Sequence, residues 1–207
     1  MHILGGFFLT EQLRYSNKQR PSKSGSTLGI LGLWQRLNNL PLSSAGRPVG
    51  QGIFNFLIGK MVPYTGTVKP RVRHLEPGFV RVEMKDRRAV RNHLKSVHAI
   101  ALANLGEFAS GVAMLTALPD SVKAIVTHLE IDYKKKARGT LTAEGRAEPP
   151  EVITEDVESI VHAVIRDAEN DVVAVVAVTW RLRSKDARSE AKLKAKDSPV
   201  PTSEATS

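Results

Sequence analysis

Residues 96–119 of this 207-residue chain read SVHAIALANLGEFASGVAMLTALP, and this stretch decides the fold. Ser96 is a typical N-cap residue and Pro119 ends a helix, so the stretch predicts one helix over residues 97–118. Small or apolar residues occupy every side of that helix instead of a single stripe. A helix of this kind is either a membrane span or the buried centre of a larger fold.

The sequence around the helix favours the second alternative. Residues 99–118 are long enough to span a bilayer, but they include Asn104 and Glu107 and are only modestly hydrophobic. Segments on both sides alternate apolar and charged residues, which is the period of half-buried strands. We therefore predict no membrane span, and an α+β fold in which an antiparallel sheet of about six strands wraps around the helix.

The sequence before the central helix predicts two short helices and two strands. Apolar spacing indicates helices over residues 28–40 and in GIFNFLIGKMVPY, residues 52–64. The segment TVKPRVRHL follows, and its Pro70 predicts an edge strand because proline cannot donate a hydrogen bond to a neighbouring strand. In the next strand, FVRVEMKD, strict alternation predicts that the inward side chains are those of Val80, Val82 and Met84.

Four further strands are predicted after the central helix. Alternation in VKAIVTHLEIDYKKK, residues 122–136, predicts the inward side chains Ile125, Leu129, Ile131 and Tyr133. Gly139–Ala147 is interpreted as the hairpin partner of this strand. Residues 157–166 and 172–183 are predicted to pair across the turn DAEND. The last of these strands contains VVAVVAV, apolar on both faces, and is therefore expected inside the sheet or at an interface.

Composition indicates one globular domain with tails. The apolar share is 42%, and the chain has no cysteine, which excludes a disulfide framework and a thiolate nucleophile or metal ligand. We interpret residues 28–183 as the domain, residues 1–27 as a disordered or targeting-like tail, and residues 184–207 as a disordered tail. A reducing compartment suits a cysteine-free chain, so we expect a cytoplasmic protein without a metal site.

The formal net charge of +9 points to an anionic partner. Aromatic residues make up only 5% of the chain and no nucleic-acid reading element is visible, so we expect no nucleic-acid partner. A phosphate-bearing ligand fits the charge better. The candidate phosphate-binding residues, for which solvated surface is the alternative, are Arg87, Arg88, Arg91, Lys134, Lys135 and Lys136.

Glu107 is the strongest candidate for chemistry. A carboxylate within an apolar helix is costly unless it has a partner or a task, and desolvation raises its pKa and its basicity. It could attack a carbonyl carbon directly or activate a water. The alternative is a buried acid paired with a basic side chain across a dimer interface. The first turn of the same helix offers unpaired N–H groups, at Ala99 and Ile100, to a developing oxyanion.

The spacing of residues around this helix resembles the active-site segment of hotdog-fold acyl-CoA thioesterases of the phenylacetate-degradation type. In that family an Asn precedes the His of a His-Gly-Gly turn by six residues, and an Asp or Glu follows the His by nine. Asn92, His98 and Glu107 meet both spacings. Tyr133-Lys134-Lys135-Lys136-Ala137 is similar to the family's Tyr-x-x-x-Ala strand end. The phrases VPYTGTV, EPGFVRV and RNHLKSVHAIALANLGEFASG resemble an uncharacterised branch more closely, and the resemblance covers residues 30–183.

The resemblance implies a hotdog fold and hydrolysis of an acyl thioester to a carboxylic acid and coenzyme A, without a separate cofactor. It implies a dimer or a dimer of dimers, in which Glu107 of one subunit works with Asn92 and His98 of the other. Asn92 would hold the lytic water or the carbonyl, and His98 would shape the loop. A turn-capping Asn92 and an interface His98 are the alternatives. Ala99 and Ile100 replace the family's two glycines, which narrows the backbone approach to a ligand.

Two other functions remain open. Hydroxyacyl-carrier-protein dehydratases share the fold and use a His fourteen residues before a helix Glu, which is the spacing of His93 and Glu107. Their His-Phe-Pro-Gly turn is absent from this sequence. A catalytically idle dimer that binds acyl-CoA or another lipid is the non-enzyme alternative. The sequence therefore predicts a thioesterase, with the idle binder and the dehydratase as alternatives.

Overall fold

The computed structural model describes residues 29–41 and 49–185. The described chain begins with three short helices, α1 (Ile30–Asn38), α2 (Val49–Met61) and α3 (Pro63–Gly66). The long helix is α4 (Ala99–Ala117). The six strands are β1 (Arg71–Glu76), β2 (Phe79–Lys85), β3 (Val122–Tyr133), β4 (Thr140–Arg146), β5 (Val157–Arg166) and β6 (Val172–Ser184).

The six strands form one antiparallel sheet in the order β1-β2-β4-β5-β6-β3. Helix α4 lies against this sheet and contacts chiefly β2, β4 and β5. The side chains of Val80, Val82 and Met84 on β2 are fully buried, as the alternation predicted. A six-stranded antiparallel sheet around one long helix is the α+β hotdog architecture that the sequence predicted.

Small residues let α4 lie close to the sheet. A Cβ atom added at Gly106 would be 2.3 Å from Cγ2 of Val176, and one added at Gly111 would be 3.1 Å from the ring of Trp180. The Trp180 ring N–H donates to the hydroxyl of Ser110 at 3.3 Å. Close packing of helix and sheet therefore requires the glycines that the apolar stretch contains.

One stripe of α4 is left uncovered by the sheet. Ile100 is exposed, and Ala103 and Glu107 are half-buried, at the spacing of one helix face. By length and composition alone α4 could cross a membrane, but 61% of its apolar window is buried inside the protein. The core helix of a soluble protein meets the same criterion, so this finding gives little support to a span.

Two expectations about local structure are wrong. Helix α4 begins at Ala99 and is capped by His98, not by Ser96. The Ser96 hydroxyl donates instead to Oδ1 of Asn92 at 3.2 Å. Gly139–Ala147 does not pair with β3, because β4 lies between β2 and β5 while β3 pairs with β6.

The predicted inward face of β3 is also partly wrong. The register shifts between Val126 and His128, which leaves Thr127 as an extra residue. A bulge of one residue exchanges the two faces of a strand, so Ile125, which precedes the bulge, points outward and is exposed. Tyr133 lies on the same face as Leu129 and Ile131, as predicted, but it is 47% exposed at the strand end, and its hydroxyl donates to the carbonyl of Ala99. Leu129 and Ile131 are partly buried as predicted, together with the side chains before the bulge, Val122, Ala124 and Val126.

The two edge strands of the sheet, β1 and β3, differ in how far their outer edges are covered. Pro70 immediately precedes β1, which is an edge strand as predicted. The Asn55 side chain on α2 accepts a hydrogen bond from the N–H of Val72 at 2.6 Å and donates to its carbonyl at 3.3 Å. Helix α2 thus covers part of the β1 edge, whereas no described strand pairs with the outer edge of β3.

Candidate active site

Asn92 holds the loop that precedes α4. Its Oδ1 accepts hydrogen bonds from the N–H of Leu94 at 2.9 Å and from the N–H of Ser96 at 3.2 Å. Lys95 closes this turn with a positive φ of 56°. The Asn92 oxygen is therefore fully engaged within the loop, whereas its amide N–H₂ group has no hydrogen-bond partner among the described residues.

His98 links the loop to the helix. Its N–H donates to the carbonyl of Val90 at 2.8 Å, and its ring Nδ1 accepts from the N–H of Ile100 at 3.1 Å. The side chain is exposed. Because Nδ1 is an acceptor here, the neutral ring carries its proton on Nε2 and can donate it to a ligand.

The two predicted oxyanion donors differ in the structure. The Ile100 N–H is engaged by His98, and the Ile100 side chain is 56% exposed. The Ala99 N–H has no hydrogen-bond partner among residues 29–41 and 49–185. Ala99 also sits at the positive end of the α4 dipole, so it is the better placed of the two donors for a developing negative charge.

Glu107 lies on the uncovered stripe of α4. Burial raises the pKa of its carboxyl group above the usual range. Within the described part of the chain the Glu107 carboxylate has no ion pair and accepts no hydrogen bond. The hydroxyl of Ser110 donates to the backbone carbonyl of Glu107 at 2.8 Å, not to its carboxylate. A half-buried acid without a partner is uncommon unless it has a ligand or a task.

Glu107 and His98 are far apart within one protomer. Nine residues of α-helix place them about 13 Å apart along the helix axis. Groups that attack and polarise one carbonyl must each come within about 3 Å of it. The structure therefore gathers Asn92, His98 and Ala99 at one end of the helix and leaves Glu107 outside that cluster.

The six predicted phosphate-binding residues fall into two groups. Arg91 bonds to the carboxylate of Asp86 through two nitrogens, and it lowers the pKa of that carboxyl. Lys135 lies 2.7 Å from both Asp167 and Asp171, Lys134 lies 3.1 Å from Asp132, and the Arg87 guanidinium donates to the carbonyl of Thr67. Among the residues that the structure describes, Arg88 and Lys136 have no such partner.

The two chain segments that carry these cations, residues 87–91 and residues 134–136, meet beside the start of α4. The Val97 N–H donates to the carbonyl of Ala137 at 2.9 Å, and the Tyr133 hydroxyl donates to the carbonyl of Ala99 at 3.1 Å. These contacts place Lys136 next to the loop that holds Asn92. The free cations therefore border the same end of the helix as the candidate donors.

A pocket of about 300 Å³ opens at this end of α4. It is lined by His98, Ile100, Ala101 and Asn104 of the helix, and by residues of the α3 region and the loop before α4, Tyr64, Thr67, Val68, Ala89, Val90 and Arg91. The pocket is open to solvent and has both apolar and polar walls. Its size suits a small acyl or pantetheine-like group.

Sequence reasoning missed Asn104 as a site residue. It is only 8% exposed and lines the pocket, and its Oδ1 is buried without a hydrogen-bond partner. Its amide N–H₂ group also donates to no protein acceptor within residues 29–41 and 49–185. Asn104 lies three residues before Glu107 on the same side of α4, between the pocket and the carboxylate. The sequence does contain one signal for this residue, because Asn104 is an amide within an otherwise apolar helix.

The chain matches one family model. Residues 50–182 match the family described as domain of unknown function (DUF4442), a segment that begins in α2 and ends in β6. No curated protein matches the chain. The matched segment contains the loop of Asn92, the whole of α4, strands β1 to β5, and β6 as far as Leu182.

Several solved structures are similar to this chain. A structural genomics protein is 23% identical with a TM-score of 0.62, covering 75% of this chain and 98% of its own. A Pseudomonas aeruginosa protein of unknown function, described as a probable thioesterase, is 25% identical with a TM-score of 0.58, covering 63% and 93%. A Haemophilus influenzae thioesterase is 13% identical with a TM-score of 0.55, covering 72% and 96%. The chain belongs to the DUF4442 family, and its fold is the hotdog fold of thioesterase family proteins.

Proposed function

We propose that this protein is an acyl-CoA thioesterase, which hydrolyses a thioester to a carboxylic acid and coenzyme A at a site shared by two protomers. One observation carries the proposal. Glu107 is half-buried with a raised pKa, has no partner in the described residues, and faces the open side of α4. A structural acid at this position would be expected to have a cation beside it.

The distance between His98 and Glu107 supports a shared site. Two copies of α4 packed antiparallel about a twofold axis would bring Glu107 beside His98 of the partner subunit. This pairing requires the twofold axis to pass midway between His98 and Glu107 on the helix, which is near Ala103. Ala103 is small and lies on the open stripe with Ile100 and Glu107, so two helices can approach closely there.

The free edge of β3 supports the same assembly. A long edge strand without a partner is a ready template for pairing with a second chain. Twofold pairing of two β3 strands would join the two sheets into one and cover the half-buried side chains Val122, Val126, Leu129 and Ile131. We propose this dimer as the catalytic unit, with a dimer of dimers as a further assembly.

The chemistry assigns a role to each group. Glu107 removes a proton from the water that attacks the thioester carbon, or it attacks that carbon itself and forms an anhydride, which water then hydrolyses to release the acid and regenerate Glu107. The backbone N–H of the partner's Ala99 and the Nε2–H of the partner's His98 stabilise the oxyanion, and the amide of the partner's Asn92 holds the carbonyl or the water. As the C–S bond breaks, the coenzyme A sulfur leaves and takes up the proton that Glu107 removed from the water, or a solvent proton if Glu107 itself attacked. Arg88 and Lys136 bind the phosphates of coenzyme A.

Thiol release from short, long and aryl acyl-CoAs tests the hydrolysis, and a mixing experiment tests the shared site. Glu107→Gln and His98→Asn should each be nearly inactive alone. A mixed dimer has one site with both intact residues, so equal mixing should restore about a quarter of the wild-type activity. Absence of thiol release from every substrate would contradict the hydrolase. Absence of restoration, with dimer exchange shown, would contradict the shared site.

One observation favours a second function, the binding of acyl-CoA without hydrolysis. Ile100 lines the pocket at a position where the thioesterases that this sequence resembles have glycine, and its N–H is engaged by His98. Saturable binding of a nonhydrolysable acyl-CoA thioether, together with no thiol release, would identify an idle binder. A thioesterase should show both binding and release.

A further inference from the structure

The basic charge of the chain is concentrated in one segment. Residues 12–75 contain ten lysines and arginines and no acidic residue, whereas the rest of the chain contains 20 basic and 21 acidic residues. The net charge of +9 therefore comes entirely from this segment. Its described part contains α1, α2, α3 and the start of β1.

Helix α2 exposes an apolar face within this segment. One side of the helix buries Phe54 and Ile58 against the core, and the other side leaves large side chains in solvent. Phe56 is 64% exposed, Met61 is 70% exposed, and Tyr64 in α3 is 68% exposed. The same exposed face, here called the α2 face, also includes Val49, Ile53, Leu57 and Val62. A contiguous apolar surface of this kind on a water-soluble fold indicates a binding surface.

Unpaired cations border the α2 face. Lys60 lies on the helix itself, with its Nζ 5.8 Å from the centre of the Phe56 ring. Lys69 and Arg71 follow α3, and the bonds between Asn55 and Val72 hold that segment beside α2. In the described part of the chain these three cations have no ion pair, whereas several arginines elsewhere on the sheet do, including Arg81 with Glu144.

We propose that the α2 face docks on the surface of an anionic phospholipid bilayer. Large apolar side chains on a helix that lacks acidic residues, with lysine and arginine beside them, are the features of interfacial membrane binding. Each cation near an anionic surface adds attraction that salt screens. A protein partner with an acidic groove or a second copy of the chain would meet part of this description. The absence of every acidic residue over residues 12–75 favours a uniformly negative surface.

Docking in this orientation would bring the candidate active site close to the bilayer. Tyr64 belongs to the α2 face and also lines the pocket beside His98. An acyl thioester whose chain partitions into the membrane would then reach the pocket without crossing much water. This consequence rests on the proposed function, whereas the docking itself does not.

Vesicle flotation of the full-length protein tests the docking. We expect binding to vesicles of phosphatidylcholine with about a third phosphatidylserine, weak binding to pure phosphatidylcholine, and weakening as salt rises from about 0.05 to 0.5 M. The double variant Phe56→Ser/Met61→Ser should bind at least about tenfold more weakly. Val152→Ser removes an equally exposed apolar side chain, 75% exposed in the loop before β5, and should bind like the wild type.

A second variant makes the test independent of any loss of fold. Phe56→Trp places a fluorophore on the α2 face, and its emission should shift to the blue on anionic vesicles and be quenched by brominated lipid. No binding of the wild type to anionic vesicles would overturn the proposal, as would unchanged binding of the double variant. If that variant instead converts a dimer to a monomer in solution, a second copy covers the face and the membrane assignment is wrong.

Discussion

The ring Nδ1 of His98 accepts a hydrogen bond from the backbone N–H of Ile100 at 3.1 Å. This contact makes one side chain both the N-cap of α4 and a wall of the pocket. It also engages the N–H of Ile100, one of the two predicted oxyanion donors. A substitution of His98 therefore changes helix stability and the site together, and the two effects must be separated.

Two substitutions of His98 separate the cap from the site. Asparagine is a strong N-cap residue and should leave the free energy of unfolding of His98→Asn close to the wild type. His98→Ala should lose about 1 kcal/mol. Both variants lack the Nε2–H donor, so both should lose about a hundredfold in kcat. Chemical denaturation and thiol release measure the two effects, and a fully active His98→Asn variant would show that His98 acts only as a cap.

Asn104 should matter more for activity than for stability. Asn104→Leu removes a buried oxygen without a partner and keeps the volume, so the free energy of unfolding should be unchanged or higher by about 1–3 kcal/mol. The substrate loses a hydrogen bond, so kcat/KM should fall about tenfold. Asn104→Ala, which leaves a cavity, serves as the comparison. Unchanged kcat/KM in a stable Asn104→Leu variant would remove Asn104 from the site.

Arg88 and Lys136, which have no ion pair among the described residues, should contribute more to coenzyme A affinity than the paired cations. The double variant Arg88→Glu/Lys136→Glu should raise KM about threefold to tenfold at low salt and leave kcat nearly unchanged. Lys123→Glu reverses an exposed charge at the other end of β3 and should change neither constant. The ratio of KM values should shrink as ionic strength rises. An unchanged KM would make Arg88 and Lys136 ordinary surface residues.

Two glycine substitutions test how closely α4 approaches the sheet. A Cβ at Gly106 would be 2.3 Å from Cγ2 of Val176, so Gly106→Ala should lower the free energy of unfolding by about 1–3 kcal/mol. A Cβ at Gly52 in α2 meets nothing within 4 Å, so Gly52→Ala should be neutral or stabilising by up to about 1 kcal/mol. Thermal unfolding measures the stability of both variants. Equal stabilities of Gly106→Ala and Gly52→Ala would contradict the close packing of α4 against the sheet.

The fold was largely readable from the sequence because its strongest signals are local. The apolar stretch predicted α4, and clean alternation predicted the buried side chains of β2. Errors arose where pairing between distant segments decides the outcome. The bulge at Thr127 turned Ile125 outward, and the chain after β3 crossed to place β4 beside β2. Neither feature has a signature within a few residues of the sequence.

The candidate site was predicted less completely than the fold. Spacing gave Asn92, His98 and Glu107, but a spacing does not reveal which donors are already bonded. The engagement of the Ile100 N–H by His98 follows from the rotamer of one side chain. The importance of Asn104 depends on the lack of a partner for its Oδ1, which becomes visible once the surrounding elements are packed.

Thiol release by Glu107→Gln, compared with the wild type across pH, tests the catalytic role of Glu107 most directly. Glutamine keeps the shape and removes the base, so kcat should fall about a hundredfold to ten-thousandfold. Because burial raises the pKa of Glu107, wild-type activity should rise with pH through a value above the usual glutamate range, and the variant should lose this rise. The exposed control Glu151→Gln should behave like the wild type. A folded Glu107→Gln dimer with wild-type kcat would contradict the assignment of Glu107 as base or nucleophile.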